Sequence, residues 1–256
     1  MTARGLLLPS LAALAALAVL VGLGCWQLER LAWKNDLVAQ VEARVHEPPI
    51  PLPGPSRWDD FDRAQDEYRP VTAHGRFDHS REVLIYTVLS DTSRLFKGPG
   101  FWVLTPLMQA DGSAIIVNRG FVPDDRRAPA RRSEGQVEGT VTVTGLVRFP
   151  EEANWFVPDN APERNVWYRR DPEEIGRAKG LERVAPFTID ADATPNPGGL
   201  PQGGETRLAF PNKHLEYALT WFGLAATLVG VYVAFVITRL RGRRDTEADG
   251  SASPGR

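Results

Sequence analysis

The chain has 256 residues, enough for one or two domains, and carries 30 basic against 32 acidic side chains. A net charge of −2 argues against a broad nucleic-acid-binding face, which normally needs a clear basic excess. One cysteine excludes an internal disulfide and a thiolate metal site within one chain, and four histidines are too few for a histidine-rich metal tract.

Two apolar runs set the class. Leu6–Leu28 and Ala218–Ile237 contain no charged residue. At about 1.5 Å rise per residue, some 20 helical residues cover the roughly 30 Å hydrocarbon layer. Both runs therefore read as transmembrane helices, at 6–28 and 218–237. Arg239, Arg241, Arg243 and Arg244 follow the second run, whereas only Arg4 precedes the first. The positive-inside rule puts the C-terminus in the cytoplasm, and two spans return residues 1–5 to the same side. Residues 57–217 are then an extracytoplasmic domain. Residues 238–256 read as a basic, disordered cytoplasmic tail. Only five residues stand before the first span, too few for a mitochondrial presequence, which favours a bacterial inner membrane. Lys34, Lys97, Lys179 and Lys213 are the only lysines among the basic residues, a skew in keeping with GC-rich bacterial coding.

Residues 29–56 read as a helical extension and a connector. Leu28, Leu31, Val38, Val41 and Val45 recur near helical spacing, an apolar stripe for the domain beyond. Trp26 and Trp33 stand at interface depth. The Pro-rich stretch Glu47–Ser56 ends the helix as a stiff, extended link. Strands dominate afterwards. Val71, Ala73, Gly75 and Phe77 alternate with polar residues. Glu82–Val88 is apolar on both faces and predicts a central strand. Phe101–Thr105 and Ala114–Asn118 flank the turn Ala110–Ser113, a hairpin signal. Val141, Val143, Gly145, Val147 and Phe149 alternate with threonines. Pro172–Lys179 predicts a short helix with Asp171 as N-cap and Gly180 at its end. Phe187–Asp190 reads as a last strand, and Ala193–Glu205, rich in Pro and Gly, as a long loop. The expected fold is a membrane protein: two transmembrane helices flank an α+β domain dominated by antiparallel sheet, partly closed into a barrel that hides strand edges.

No catalytic constellation is present: there is no Gly-x-Ser-x-Gly, P-loop or His-Glu-x-x-His. His214 is the leading candidate for binding. It falls in the first turn of the second span, after Asn212, a natural N-cap, with Tyr217 and Trp221 on the same helical stripe. A neutral imidazole can ligate haem iron, and the flanking rings can pack on the macrocycle. The plainer reading makes all three interface residues. His46, His74 and His79 read as solvated. Arg119 shares a strand face with Ile115, Val117 and Phe121, so it needs either a structural ion pair or an anionic ligand. Arg30 and Lys34, just outside the bilayer, suit lipid phosphate or a ligand carboxylate.

Together these pieces resemble the surfeit locus protein 1 (Shy1-like) family, which assists cytochrome c oxidase biogenesis. The matching blocks are Gly24-Cys-Trp-Gln-Leu-Glu-Arg-Leu-Ala-Trp-Lys34, Tyr68-Arg-Pro-Val71 with Gly75-Arg-Phe77, Gly98-Pro-Gly100 with Thr105-Pro-Leu107, Val117-Asn-Arg-Gly-Phe-Val-Pro123, and Asn212-Lys-His214 with Tyr217-Ala218 and Thr220-Trp-Phe222. The resemblance implies an anchored assembly factor and not an enzyme. Its bacterial members look like haem a chaperones, with cytochrome c oxidase subunit I and haem a synthase as partners. A family histidine viewed as a haem ligand matches His214, and the Arg-Gly block matches Arg119-Gly120. In that picture Tyr217 and Trp221 flank haem a, and Arg30 or Arg119 meets its propionates. The alternative is a haem-free scaffold whose outer β-domain grips an oxidase subunit.

Overall fold

In a computed structural model, the described residues are 4–90, 95–151, 155, 157–206, 208 and 212–250, with side chains omitted at 4, 5 and 242–250. They form two compact units. One unit holds residues 1–39 and 209–256, and the other residues 40–208.

The first unit is built on helices α1 (Arg4–Val45) and α4 (His214–Gly250). Each is long and apolar enough to cross a membrane, over Leu6–Val45 and His214–Arg241. Their apolar side chains are not withdrawn into a core: Leu8 is 75 % exposed and Leu219 64 %. An apolar surface of that extent calls for a lipid or protein partner. The two helices meet along their lengths. Ser10 Oγ bonds Tyr232 Oη near one end, and Asn212 Nδ2 donates to Asn35 Oδ1 (3.0 Å) near the other. Between them Gly24 meets Phe222. A Cβ on Gly24 would stand 2.6 Å from that ring, so any larger residue there would force the ring to shift. These partners run in opposite directions along the two sequences, so the helices are antiparallel. Residues 238–250, expected as tail, continue α4; no proline interrupts the stretch, and the helix runs through Gly242. Residues 251–256 and Pro211 lie outside the described residues.

The second unit begins with the last turn and a half of α1. Of the stripe expected on that helix only Val41 is buried. Arg44 ties this end down by donating to the carbonyls of Glu67 (2.9 Å) and Ala64 (3.2 Å). Within the expected connector, Ile50–Pro51 forms a two-residue strand, β1, parallel to β2 (Pro70–Phe77), and Pro55–Ser56 open a 3-10 turn that runs to Asp60. The single-turn helix α2 (Arg63–Asp66) follows, capped by Asp62. Next come β3 (Val83–Leu89), β4 (Gly98–Met108), β5 (Ala114–Pro123), β6 (Thr140–Arg148), helix α3 (Pro172–Ala178) and β7 (Val184–Ala191). Asp171 caps α3 through the Glu174 N–H, as its spacing predicts.

The strands run in the order β1-β2-β6-β7-β5-β4-β3, and β2 also pairs with β4 through Arg76↔Met108 and Phe77↔Leu107. That pairing closes β2, β6, β7, β5 and β4 into a five-stranded barrel, so the fold class read from the sequence is met and the closure is complete. Most pairs are antiparallel, but β5 and β7 are parallel. Inward residues at alternate positions along the strands fill the barrel: Val71, Ala73, Val143, Val147, Phe187 and Ile189 among them. Trp58 packs on Phe187 at 6.3 Å and donates its indole N–H to the Pro53 carbonyl. β5 is buried on both faces because Ile115 and Val117 face the barrel, whereas Ile116 joins Val83, Ile85, Leu104, Trp167 and Ile175 in a second cluster. β3 is a correction. Its two apolar faces predict a central strand, yet it lies at the sheet edge beside β4. Val83 and Ile85 serve the second cluster, and the other face leaves Tyr86 54 % exposed.

Candidate functional site

His214 opens α4, and its neighbours fix both its backbone and its ring. Asn212 Oδ1 accepts from the His214 N–H at 3.4 Å, so the asparagine acts as the expected cap. The imidazole Nδ1 lies 2.7 Å from Gln27 Oε1 of α1, so the ring donates from Nδ1 and the amide oxygen accepts. In that tautomer Nε2 carries the lone pair, the form in which histidine ligates a metal. One turn along, Ala218 is buried, and Phe222 packs over Gly24. Tyr217 is 54 % exposed and Trp221 is half-buried on the same helix. On α1, Arg30 is exposed, and its guanidinium stacks 4.5 Å from the Trp33 ring. His214, Tyr217, Trp221 and Arg30 therefore all belong to the helical unit.

Arg119 belongs to the barrel unit. The β4–β5 register slips between Trp102 and Leu104, and Gly120 has φ +121°, so β5 bulges at this point. A Cβ on Gly120 would also collide with the Gln202 carbonyl. The bulge aims Arg119 at Phe77, with the guanidinium 4.6 Å from the ring. The group donates to the Gly135 carbonyl, to Asn196 Oδ1 (3.4 Å) and to His79 Nδ1 (3.5 Å). His79 in turn donates from Nε2 to the Val137 carbonyl at 2.9 Å. The expected ion pair is thus replaced by neutral acceptors among the described residues, because the turn at 129–135 delivers a carbonyl where a carboxylate was expected. Burial first, and then the neighbouring Arg132, push the Arg119 pKa down to about 10, with Glu82 partly opposing. Arg132 itself forks onto Glu82. His79, read from sequence as solvated, is part of this assembly. His46 and His74 are exposed and bond locally, to the Glu42 carbonyl and to Thr142 Oγ1.

Two features escaped the sequence reading. Gln27 lies in the first signature block without a role assigned to it. Its signal is polarity within an uncharged run, at the same end as His214. The second is a buried ionic knot around Asp190, which accepts from Arg170 (2.6 Å), Arg148 (3.2 Å), Asn118 (3.0 Å) and Thr206 (3.0 Å). Its signal is a carboxylate closing an apolar strand. Among the described residues no group of three or more His, Cys, Asp or Glu side chains could hold a metal ion. A cleft of about 490 Å³ beside α3, lined by Pro150, Pro172, Arg177, Leu181 and Val184, contains none of the candidate residues.

The comparisons fit this architecture. The family model described as the SURF1 family matches residues 14–226, which take in most of α1, the whole barrel and the first part of α4. Surfeit locus protein 1 of Mus musculus is 43 % identical over 219 residues, covering 82 % of this chain and 69 % of the mouse protein. The Homo sapiens protein of the same name is 42 % identical over 216 residues, covering 80 % and 70 %. The SURF1-like protein of Monosiga brevicollis is 40 % identical over 226 residues, covering 84 % and 82 %. The chain belongs to the SURF1 family.

Proposed function

We propose that this protein is a membrane-anchored assembly factor for cytochrome c oxidase, not an enzyme, and that it receives haem a as cargo and holds it for insertion into oxidase subunit I. Family membership supports the assembly role. The observation that carries the haem reading is the His214–Gln27 hydrogen bond, which leaves one imidazole nitrogen available as a ligand at the end of an apolar helix pair. The residues present fit such a cargo. Haem a brings an iron able to take an axial nitrogen, a broad apolar surface and two propionates. His214 supplies the nitrogen, Tyr217 and Trp221 supply apolar faces, and Arg30 supplies a cation for a propionate. Arg119 leaves this reading, since protein groups already surround its guanidinium. A single histidine makes an open, weak site, which suits transfer onward.

Haem a synthase is the source and subunit I the recipient in this reading. The membrane is a bacterial inner membrane, with both termini cytoplasmic and the barrel outside. The basic cluster after the second span and the arginine-dominated cation content support that placement. Alkaline phosphatase fused at residue 256 should be inactive and, inserted after Val137, active; the reverse pattern overturns the orientation.

The functional test is direct. The protein is co-produced with the haem a synthesis enzymes, purified in detergent, and its absorption spectrum recorded. The wild type should carry haem a and His214→Ala should lose it. Full haem a retained by His214→Ala removes the ligand assignment. Haem-free protein that still captures subunit I selects the scaffold reading instead.

A further inference from the structure

We infer that Gln27 is the positioning residue for His214: its amide oxygen holds the imidazole in the Nδ1–H tautomer and so presents the Nε2 lone pair to the iron of the cargo. The inference rests on the haem reading for what the lone pair meets, whereas the tautomer follows from the hydrogen bond alone. A neutral imidazole has one donor and one acceptor nitrogen, and the partner of the first fixes the second. At 2.7 Å the Nδ1–Oε1 bond is short and is supplied by the other helix of the same unit. A competing Nε2–H tautomer would turn the Nδ1 lone pair onto the amide oxygen, two acceptors in contact.

The contact is held by more than itself. Gly24, one turn before Gln27, receives the Phe222 ring, and Ala218, one turn after His214, is buried at 1 % exposure. Beyond the ring, Asn212 bonds both the His214 N–H and Asn35. Packing on one side and an amide bridge on the other fix the register of α1 against α4 at the level of the imidazole. Gln27 is also the unexpected residue chemically. It lies in the uncharged run Leu6–Leu28, where an apolar side chain of the same size would pack without needing a partner. Metal-ligating histidines as a rule donate their second ring N–H to an oxygen, and loss of that outer acceptor weakens metal binding by about 10- to 100-fold.

The test uses the full-length protein in detergent micelles with 15N-labelled histidine. The apo protein is read by 15N NMR, with His214→Ala assigning the resonances, and each variant is then titrated with haem a. Wild type and Gln27→Glu, which keeps an acceptor oxygen, should show Nδ1–H and bind haem a alike. Gln27→Leu should shift His214 to Nε2–H and bind haem a about 10- to 100-fold more weakly. Rescue by the glutamate separates positioning from a folding defect. Nδ1–H persisting in Gln27→Leu overturns the proposal. So does unchanged haem a affinity in Gln27→Leu when His214→Ala has lost it. Haem a retained by His214→Ala, with the tautomer still following Gln27, overturns the ligand reading and leaves the tautomer assignment standing.

Discussion

Asp190 is buried, and burial by itself would raise its pKa. The cations of Arg170 and Arg148, with hydrogen bonds from Asn118 and Arg170, outweigh that and hold the carboxyl below the usual carboxylate range. A carboxyl depressed by folding stabilises the fold above its unfolded pKa, near 3.8, and that contribution drains away as pH falls through the lower folded value. Asp190→Asn removes one charge from beneath two arginines and should cost about 3–5 kcal/mol. Thermal unfolding of the full-length protein in micelles at pH 7 checks it, and an unchanged melting temperature contradicts it. The same residue shows what a sequence hides. An acid at the end of Phe187-Thr-Ile-Asp190 is visible, but its partners stand far away on β5, β6 and the segment before α3, and only barrel closure assembles them. Gln27 was hidden for the same reason: its partner lies 187 positions away. His214, Tyr217 and Trp221 were legible because one helix carries all three at helical spacing. Arg119 was legible as a buried charge, but the bulge at Gly120 decides what it meets, and a bulge has no period to read.

Elements with a strong period read well. β2 and β6 follow their alternation, and α3 follows its cap. β3 misled because two apolar faces are equally consistent with a central strand and with an edge strand that keeps one face open. The parallel β5–β7 pair was not foreseeable from turn signals, since it is made across a long crossover that includes β6 and α3. Within the helical unit, the close approach at Gly24 carries its own prediction. Gly24→Val puts branched carbon where the Phe222 ring lies and should lower thermal stability in micelles. Gly22→Val, which has open space around it, should not. Phe222→Ala added to Gly24→Val should recover part of the loss. Equal effects at the two glycines would contradict the helix packing.

At the scale of the whole molecule, a filled barrel contrasts with a pair of apolar helices. The barrel interior is packed with Val, Ile and Phe side chains and offers a large planar cargo no room. The helical unit instead carries exposed apolar surface, two accessible aromatic rings and an imidazole whose second nitrogen is held by an amide. The central claim is that this imidazole is the iron ligand. Electron–nuclear double resonance on the oxidised haem a complex, made with 15N-histidine protein, tests it most directly. A directly coordinated histidine 15N is expected in the wild-type complex, and any haem a that remains with His214→Ala should show none. A bound haem a with no histidine coupling, or a coupling that survives His214→Ala, would contradict it.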